Sequence, residues 1–125
     1  MTSRAAALSL ALLSLAAAGA ARAEPRGGTL VGTVTRGPIA PVCAAEQPCD
    51  EPAAHVTLVF SHAGRDSARA TTDAEGRYRV RLAAGAYSVR RARFVSPDRR
   101  LSPHTVRVSG GRLLRLDFAI DTGIR

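Results

Sequence analysis

Lysine, asparagine and tryptophan are missing from this sequence, and aromatic side chains of any kind are scarce. Each absence removes a possibility. Without lysine no intramolecular Lys–Asn or Lys–Asp isopeptide bond can form, and without asparagine no N-linked glycan can be attached. The aromatic residues are Phe60, Tyr78, Tyr87, Phe94 and Phe118, too few for a base-stacking surface, so no nucleic-acid partner is expected. Their scarcity also obliges the core to be built mostly of Val, Leu and Ile. Helical periodicity is lacking everywhere past residue 23. Basic residues number 18 against 10 acidic ones, every one of them arginine, for a formal charge of +8. An excess of that size bears on anion attraction and not on fold.

The N-terminus is read first, because it is not expected to belong to the fold. Arg4 gives a short basic start, and Ala5 to Ala18 is apolar apart from Ser9 and Ser14. Ala21-Arg22-Ala23 then has the small-x-small form that signal peptidase accepts. The apolar run falls short of the roughly 20 residues a membrane span needs. We therefore expect residues 1–23 to be a cleaved signal peptide, an uncleaved anchor being the alternative. No membrane span is expected after cleavage, and the protein is expected to be exported, periplasmic or secreted. Residues 24–28 read as a mobile polar lead, and residues 29–125 as one domain. Loss of Arg4 and Arg22 lowers the formal charge from +8 to +6.

Cys43 and Cys49 are the only cysteines. An exported compartment favours pairing them, which closes a short loop. Chain entropy puts the gain at about 2 kcal/mol. A metal site recruiting His55 or His62 is the alternative, but the spacing lacks the close pairing typical of zinc ligands. No metal or cofactor is expected.

Strand signals fill the rest. Thr29 to Thr35 is β-prone, and Gly37 to Pro52 is a loop dense in proline that holds both cysteines. Val56, Leu58 and Phe60 alternate with Thr57 and Val59. Ser67 to Thr72 is a weaker strand, since Ala68 and Ala70 bury little. Asp73 and Gly76 sit where a type I turn wants aspartate first and glycine fourth. Tyr78, Val80 and Leu82 alternate with Arg77, Arg79 and Arg81, giving one dry and one wet face. Gly85 offers a second turn, and Tyr87 and Val89 resume the alternation. Asp73 to Val89 therefore reads as a β-hairpin, with Ser67 to Thr72 as a further partner across the Asp73 turn. His104 to Ser109 alternates through Val106 and Val108. After Gly110-Gly111, the residues Leu114, Leu116, Phe118 and Ile120 form the cleanest dry face. The expectation is an all-β, seven-stranded antiparallel two-sheet sandwich, with a small barrel as the alternative.

Three segments carry a resemblance: Gly32-Thr33-Val34, Thr72-Asp73-Ala74-Glu75-Gly76-Arg77-Tyr78 and Leu82-Ala83-Ala84-Gly85-Ala86-Tyr87. Together they resemble the carboxypeptidase regulatory-like domains of the wider transthyretin-like (prealbumin-like) sandwich group, from about Thr29 to Ile120. The ending Asp121-Thr122-Gly123-Ile124-Arg125 is similar to that of small exported bacterial proteins with this domain. The resemblance implies a prealbumin-like sandwich and a non-catalytic accessory or recognition role. The urate-pathway hydrolases of this group end in Tyr-Arg-Gly-Ser, which this chain lacks. Intradiol dioxygenases on a related sandwich hold iron with two tyrosines and two histidines. Here Tyr78 and Tyr87 occupy dry-face positions with no close histidine pair after them.

No constellation demands catalysis. Ser61, His62 and Asp66 lie near one another, but adjacent strand residues face opposite ways, which suits a surface turn better than a relay. Asp50-Glu51 and Asp73-Glu75 offer too few oxygens for calcium and fall at turns. An enzyme is not expected. Arg77, Arg79 and Arg81 project from one face, and Arg90 is expected to join them from the next strand. This stripe is either a solvated face or an anion-binding one, since the guanidinium fork suits carboxylate and phosphate. The tail Asp121 to Arg125 is either a recognition peptide or the packed end of the last strand, with Ile124 as its apolar anchor. Two functions follow: a structural or protein-interaction module of the bacterial envelope or periplasm, and carbohydrate or polyanion binding. The expected partner is an envelope protein or an anionic glycan. Phe94 is the obvious exposed platform for a sugar, and one platform favours the first function.

Overall fold

Alternation of apolar and polar residues, punctuated by glycine and proline, produces strands and turns and no helix among the described residues. The structure is a computed structural model that describes residues 27–125. The expected signal peptide and residues 24–26 of the lead lie outside the described residues. Ten strands follow in order: β1 Gly28–Gly37, β2 Glu51–Pro52, β3 Thr57–His62, β4 Arg65–Thr71, β5 Arg77–Leu82, β6 Gly85–Arg91, β7 Leu101–Ser102, β8 Thr105–Val108, β9 Leu113–Arg115 and β10 Phe118–Asp121. The seven expected strands are all present. The last is broken into β9 and β10, and two-residue β2 and β7 are additional. Gly28 pairs with Leu82, so β1 opens one residue before Thr29.

Two sheets face each other. In the smaller the order is β4-β3-β6-β8, and every pairing is antiparallel. The larger is organised around β1. On one side, its first half pairs with β5 and its end with β2, both antiparallel. On the other side it pairs in parallel with β9 and then β10, and β7 closes that flank. The parallel pairings modify the expected all-antiparallel sandwich.

The expected hairpins across Asp73 and Gly85 do not form. β5 belongs to the larger sheet, whereas β4 and β6 belong to the smaller. The Asp73 turn is nevertheless the one its residues specify. Gly76 N–H donates to Asp73 C=O at 3.0 Å, and Gly76 has φ +76°, which glycine tolerates best. It carries the chain from one sheet to the other. Residues 83 and 84 carry it back as an arch, held by the Tyr87 hydroxyl donating to Ala83 C=O at 2.6 Å. A dry face looks the same in sequence whether its strand pairs with the next one or faces it. The true tight hairpin is β3–β4, turning at Ala63 and Gly64, which have φ +50° and +77°.

Inward residues of both sheets make one core. Phe60 from the smaller sheet meets Phe118 from the larger edge-on, with ring centroids 6.4 Å apart, and Tyr78 lies 5.5 Å from Phe118. Around them pack Leu30, Val34, Leu58, Val80, Val89 and Leu101. Burying each such side chain is worth about 1.5–3 kcal/mol. The expected dry face of the last strand is only partly dry. Phe118 and Ile120 are buried and Leu116 is partly so, whereas Leu113 and Leu114 on short β9 are exposed.

Candidate functional site

The exposed face of the larger sheet carries the arginine stripe. β5 lies against β1 with Arg77 opposite Thr33, Arg79 opposite Val31 and Arg81 opposite Thr29. On the far side of β1, Arg115 of β9 is in register with Val31. Arg79 and Arg115 thus flank one residue of the central strand. Arg115 was not singled out from the sequence. Its alternation with Leu114 and Leu116 placed it on a wet face, but nothing local revealed which strand that face would join. Arg79 and Arg81 make no ion pair or side-chain hydrogen bond among the described residues. Arg77 pairs with Asp73 at 3.1 Å and more loosely with Glu75 at 3.4 Å. These contacts raise the Arg77 pKa, chiefly through the Asp73 hydrogen bond.

Arg90 does not join the stripe. It lies on β6 of the smaller sheet, opposite Val59, and its guanidinium reaches Asp66 at 3.1 Å. The crossing at residues 83 and 84 is the physical reason, since it moves β6 away from β5. Asp66 also accepts from the Ser61 hydroxyl at 2.9 Å. His62 turns the other way, with Nδ1 2.8 Å from Ala86 C=O and its ring 5.4 Å from that of Tyr87. Ser61, His62 and Asp66 therefore form no proton relay.

Where β9 gives way to β10, residues 116 and 117 bulge over β1. Leu116 N–H donates to Val31 C=O at 2.8 Å, and Thr33 N–H donates to the Asp117 carboxylate at 2.9 Å. That hydrogen bond is the main reason the Asp117 pKa is lowered. Tyr78 OH donates to Leu116 C=O. Burial, helped by the Asp117 charge, pushes the Tyr78 phenol far up, so it stays a neutral donor. Its role is structural.

A second polar cluster holds the loop before β7. Asp98 is buried, and Arg91 grips it with two hydrogen bonds, at 2.8 and 3.0 Å. The backbone N–H groups of Arg91 and Arg100 donate to the same carboxylate at 3.1 and 3.3 Å. The Arg91 side-chain bond leads in holding the Asp98 pKa below the usual range. The guanidinium also lies 3.7 Å from the centroid of the Phe94 ring. One face of the expected sugar platform is thus already covered.

Cys43 and Cys49 are joined as a disulfide, with Cα atoms 5.5 Å apart, in the exposed loop between β1 and β2. Among the described residues no three His, Cys, Asp or Glu side chains converge as metal ligands would. The tail folds back on the start of that loop. Thr122 N–H donates to Gly37 C=O at 3.1 Å, and its hydroxyl to Pro38 C=O at 2.7 Å. Asp121 accepts from Gly123 N–H at 2.9 Å and pairs with Arg125 at 3.2 Å. Ile124 is exposed, so the anchor is Thr122 and not Ile124. Beside the tail, Thr35, Ala119, Asp50 and Arg99 line an open groove of about 710 Å³ with walls of mixed charge.

No family model matches the chain, and no curated protein matches it in sequence. Solved structures do. The TIE protein of Bacillus anthracis is 15% identical over 77% of this chain and 16% of its own, with a TM-score of 0.49. GBS52, the minor pilin of Streptococcus agalactiae, is 12% identical over 77% of this chain and 44% of its own, with a TM-score of 0.48. A DUF3823 family protein from Parabacteroides merdae is 13% identical over 76% of this chain and 46% of its own, with a TM-score of 0.44. This chain spans less than half the length of each, and no residue role passes across the likeness.

Proposed function

We propose that this chain is a non-catalytic, exported β-sandwich module with a structural or protein-contact role at the bacterial envelope. One observation carries the reading: Ser61, His62 and Asp66, the group in the sequence nearest to a catalytic set, and the aspartates of the Asp73 turn and of the two polar clusters make separate contacts within the fold. Ser61 donates to Asp66, His62 bonds Ala86 C=O, and Asp73, Asp98 and Asp117 each accept from backbone N–H groups. Ser61 and Asp66 bond each other and neither bonds His62, so hydroxyl, imidazole and carboxylate are not arranged in series. The basic, apolar and small-x-small order of residues 1–23 and the paired cysteines support export. The resemblance to carboxypeptidase regulatory-like domains agrees with an accessory role. Sugar binding is the weaker reading, because Arg91 covers one face of Phe94.

Fractionation and crosslinking in a bacterial host test the proposal. The expected result is a processed chain outside the cytoplasm, with Cys43–Cys49 oxidised and a discrete protein adduct in the envelope fraction. A chain retained in the cytoplasm with both thiols reduced would overturn it. So would any turnover abolished by Ser61→Ala.

A further inference from the structure

Along β5 the backbone groups divide between two sides. Arg77 N–H donates to the Asp73 carboxylate at 2.8 Å, and Arg77 C=O accepts from Asp73 N–H at 2.9 Å. Both groups therefore point away from β1. The opposite strand agrees: Thr29 N–H, Val31 C=O and Thr33 N–H all point towards the β9 side. Strand alternation then sends the backbone groups of Tyr78, Val80 and Leu82 to β1, and those of Arg79 and Arg81 outward. Among the described residues β5 has no other strand partner, so within them the N–H and C=O groups of Arg79 and Arg81 lie along a free edge. The inward positions of β4, the edge strand facing it across the sandwich, are only Ala68 and Ala70.

We propose that this edge accepts an extended segment of a partner protein as an added strand, one with carboxylates at every second position. The inference rests on the protein-contact reading above and names the chemistry of the contact. Free edges invite pairing, and an added strand gains its affinity from backbone hydrogen bonds. Its side chains on the exposed face would lie beside Arg77, Arg79 and Arg81. Opposite charges facing across neighbouring strands stabilise the pair, and like charges oppose it. Arg79 and Arg81 have no acidic partner within the described residues and present forks that suit carboxylates. The same charges work against a second copy: pairing β5 antiparallel with β5 about Val80 sets Arg79 against Arg81. The edge thus discourages self-pairing while selecting an acidic strand.

The test uses the full chain as its host processes it, with three probes: a ten-residue peptide alternating Glu with Val, a Lys/Val peptide of the same design, and heparin. Amide hydrogen exchange and chemical shifts are read by NMR. The Glu/Val peptide is expected to bind and slow exchange at Arg79 and Arg81, and the Lys/Val peptide to leave both unchanged. The double substitution R79T/R81T keeps β-prone side chains at both positions and is expected to weaken the peptide at least tenfold with the melt preserved. A second variant, Arg79→Glu, is expected to reverse the preference between the two peptides. Three results would overturn the proposal: heparin binding without Glu/Val peptide binding, peptide shifts that map away from β5, or equal affinity for wild type and R79T/R81T. A chain found in the envelope with a partner that contacts another surface would defeat this inference and leave the proposed function standing.

Discussion

At Gly32 the carbonyl of Leu116 comes so close that a methyl group would overlap it. Gly32→Ala is expected to cost about 3 kcal/mol, through overpacking against backbone that cannot retreat. Urea unfolding measures this, and unchanged stability would mean that the bulge is misplaced. At Asp98 the issue is charge. An aspartate whose pKa is lower in the folded than in the unfolded chain adds stability that is in place above the unfolded value, about 4. That contribution is lost as pH falls through the folded value. Asp73, Asp98, Asp117 and Asp121 all have lowered pKa values, and only Asp98 is buried. The melting temperature should therefore fall steadily as pH drops below about 4. Asp98→Asn should lower stability at neutral pH by about 3 kcal/mol, because Arg91 loses its buried partner, and should flatten the acid slope. A slope identical to wild type would remove Asp98 from the account.

Among the elements, the β3–β4 hairpin carries a local conflict. Its two-residue turn needs positive φ at both positions, and the first is Ala63 at φ +50°. Left-handed backbone costs a residue with a Cβ about 1–2 kcal/mol, so Ala63→Gly should raise stability by about 1 kcal/mol after the added chain entropy. A melting temperature that falls would contradict the turn geometry. The Asp73 turn was legible because its signal is local: a carboxylate placed to accept from N–H groups two and four residues on. The strand faces were legible for the same reason, since Arg77 to Leu82 alternates without exception. What β5 pairs with was not legible. Register and sheet membership depend on contacts far along the chain, and the two residues between Leu82 and Gly85 suit an arch as well as a hairpin.

For the molecule as a whole, that one choice of connection decides what the surface offers. Were β5 and β6 a hairpin, Arg90 would extend the stripe and the β5 edge would be closed. Because the chain crosses between sheets, Arg90 is bound to Asp66, Arg115 stands across β1 from Arg79, and the arginines line an open edge. The stripe itself was plain in the sequence, and its setting was not. Likewise Ile124 was apolar enough to suggest an anchor, yet the tail is held by Thr122 through hydrogen bonds to carbonyls some 85 positions earlier in the chain. Amide hydrogen exchange of the unliganded protein along residues 77–82 tests the crossing most directly. Slow exchange at Tyr78, Val80 and Leu82 with fast exchange at Arg79 and Arg81 is the result this fold predicts. Uniform protection across all five would place a strand on both sides of β5 and contradict it.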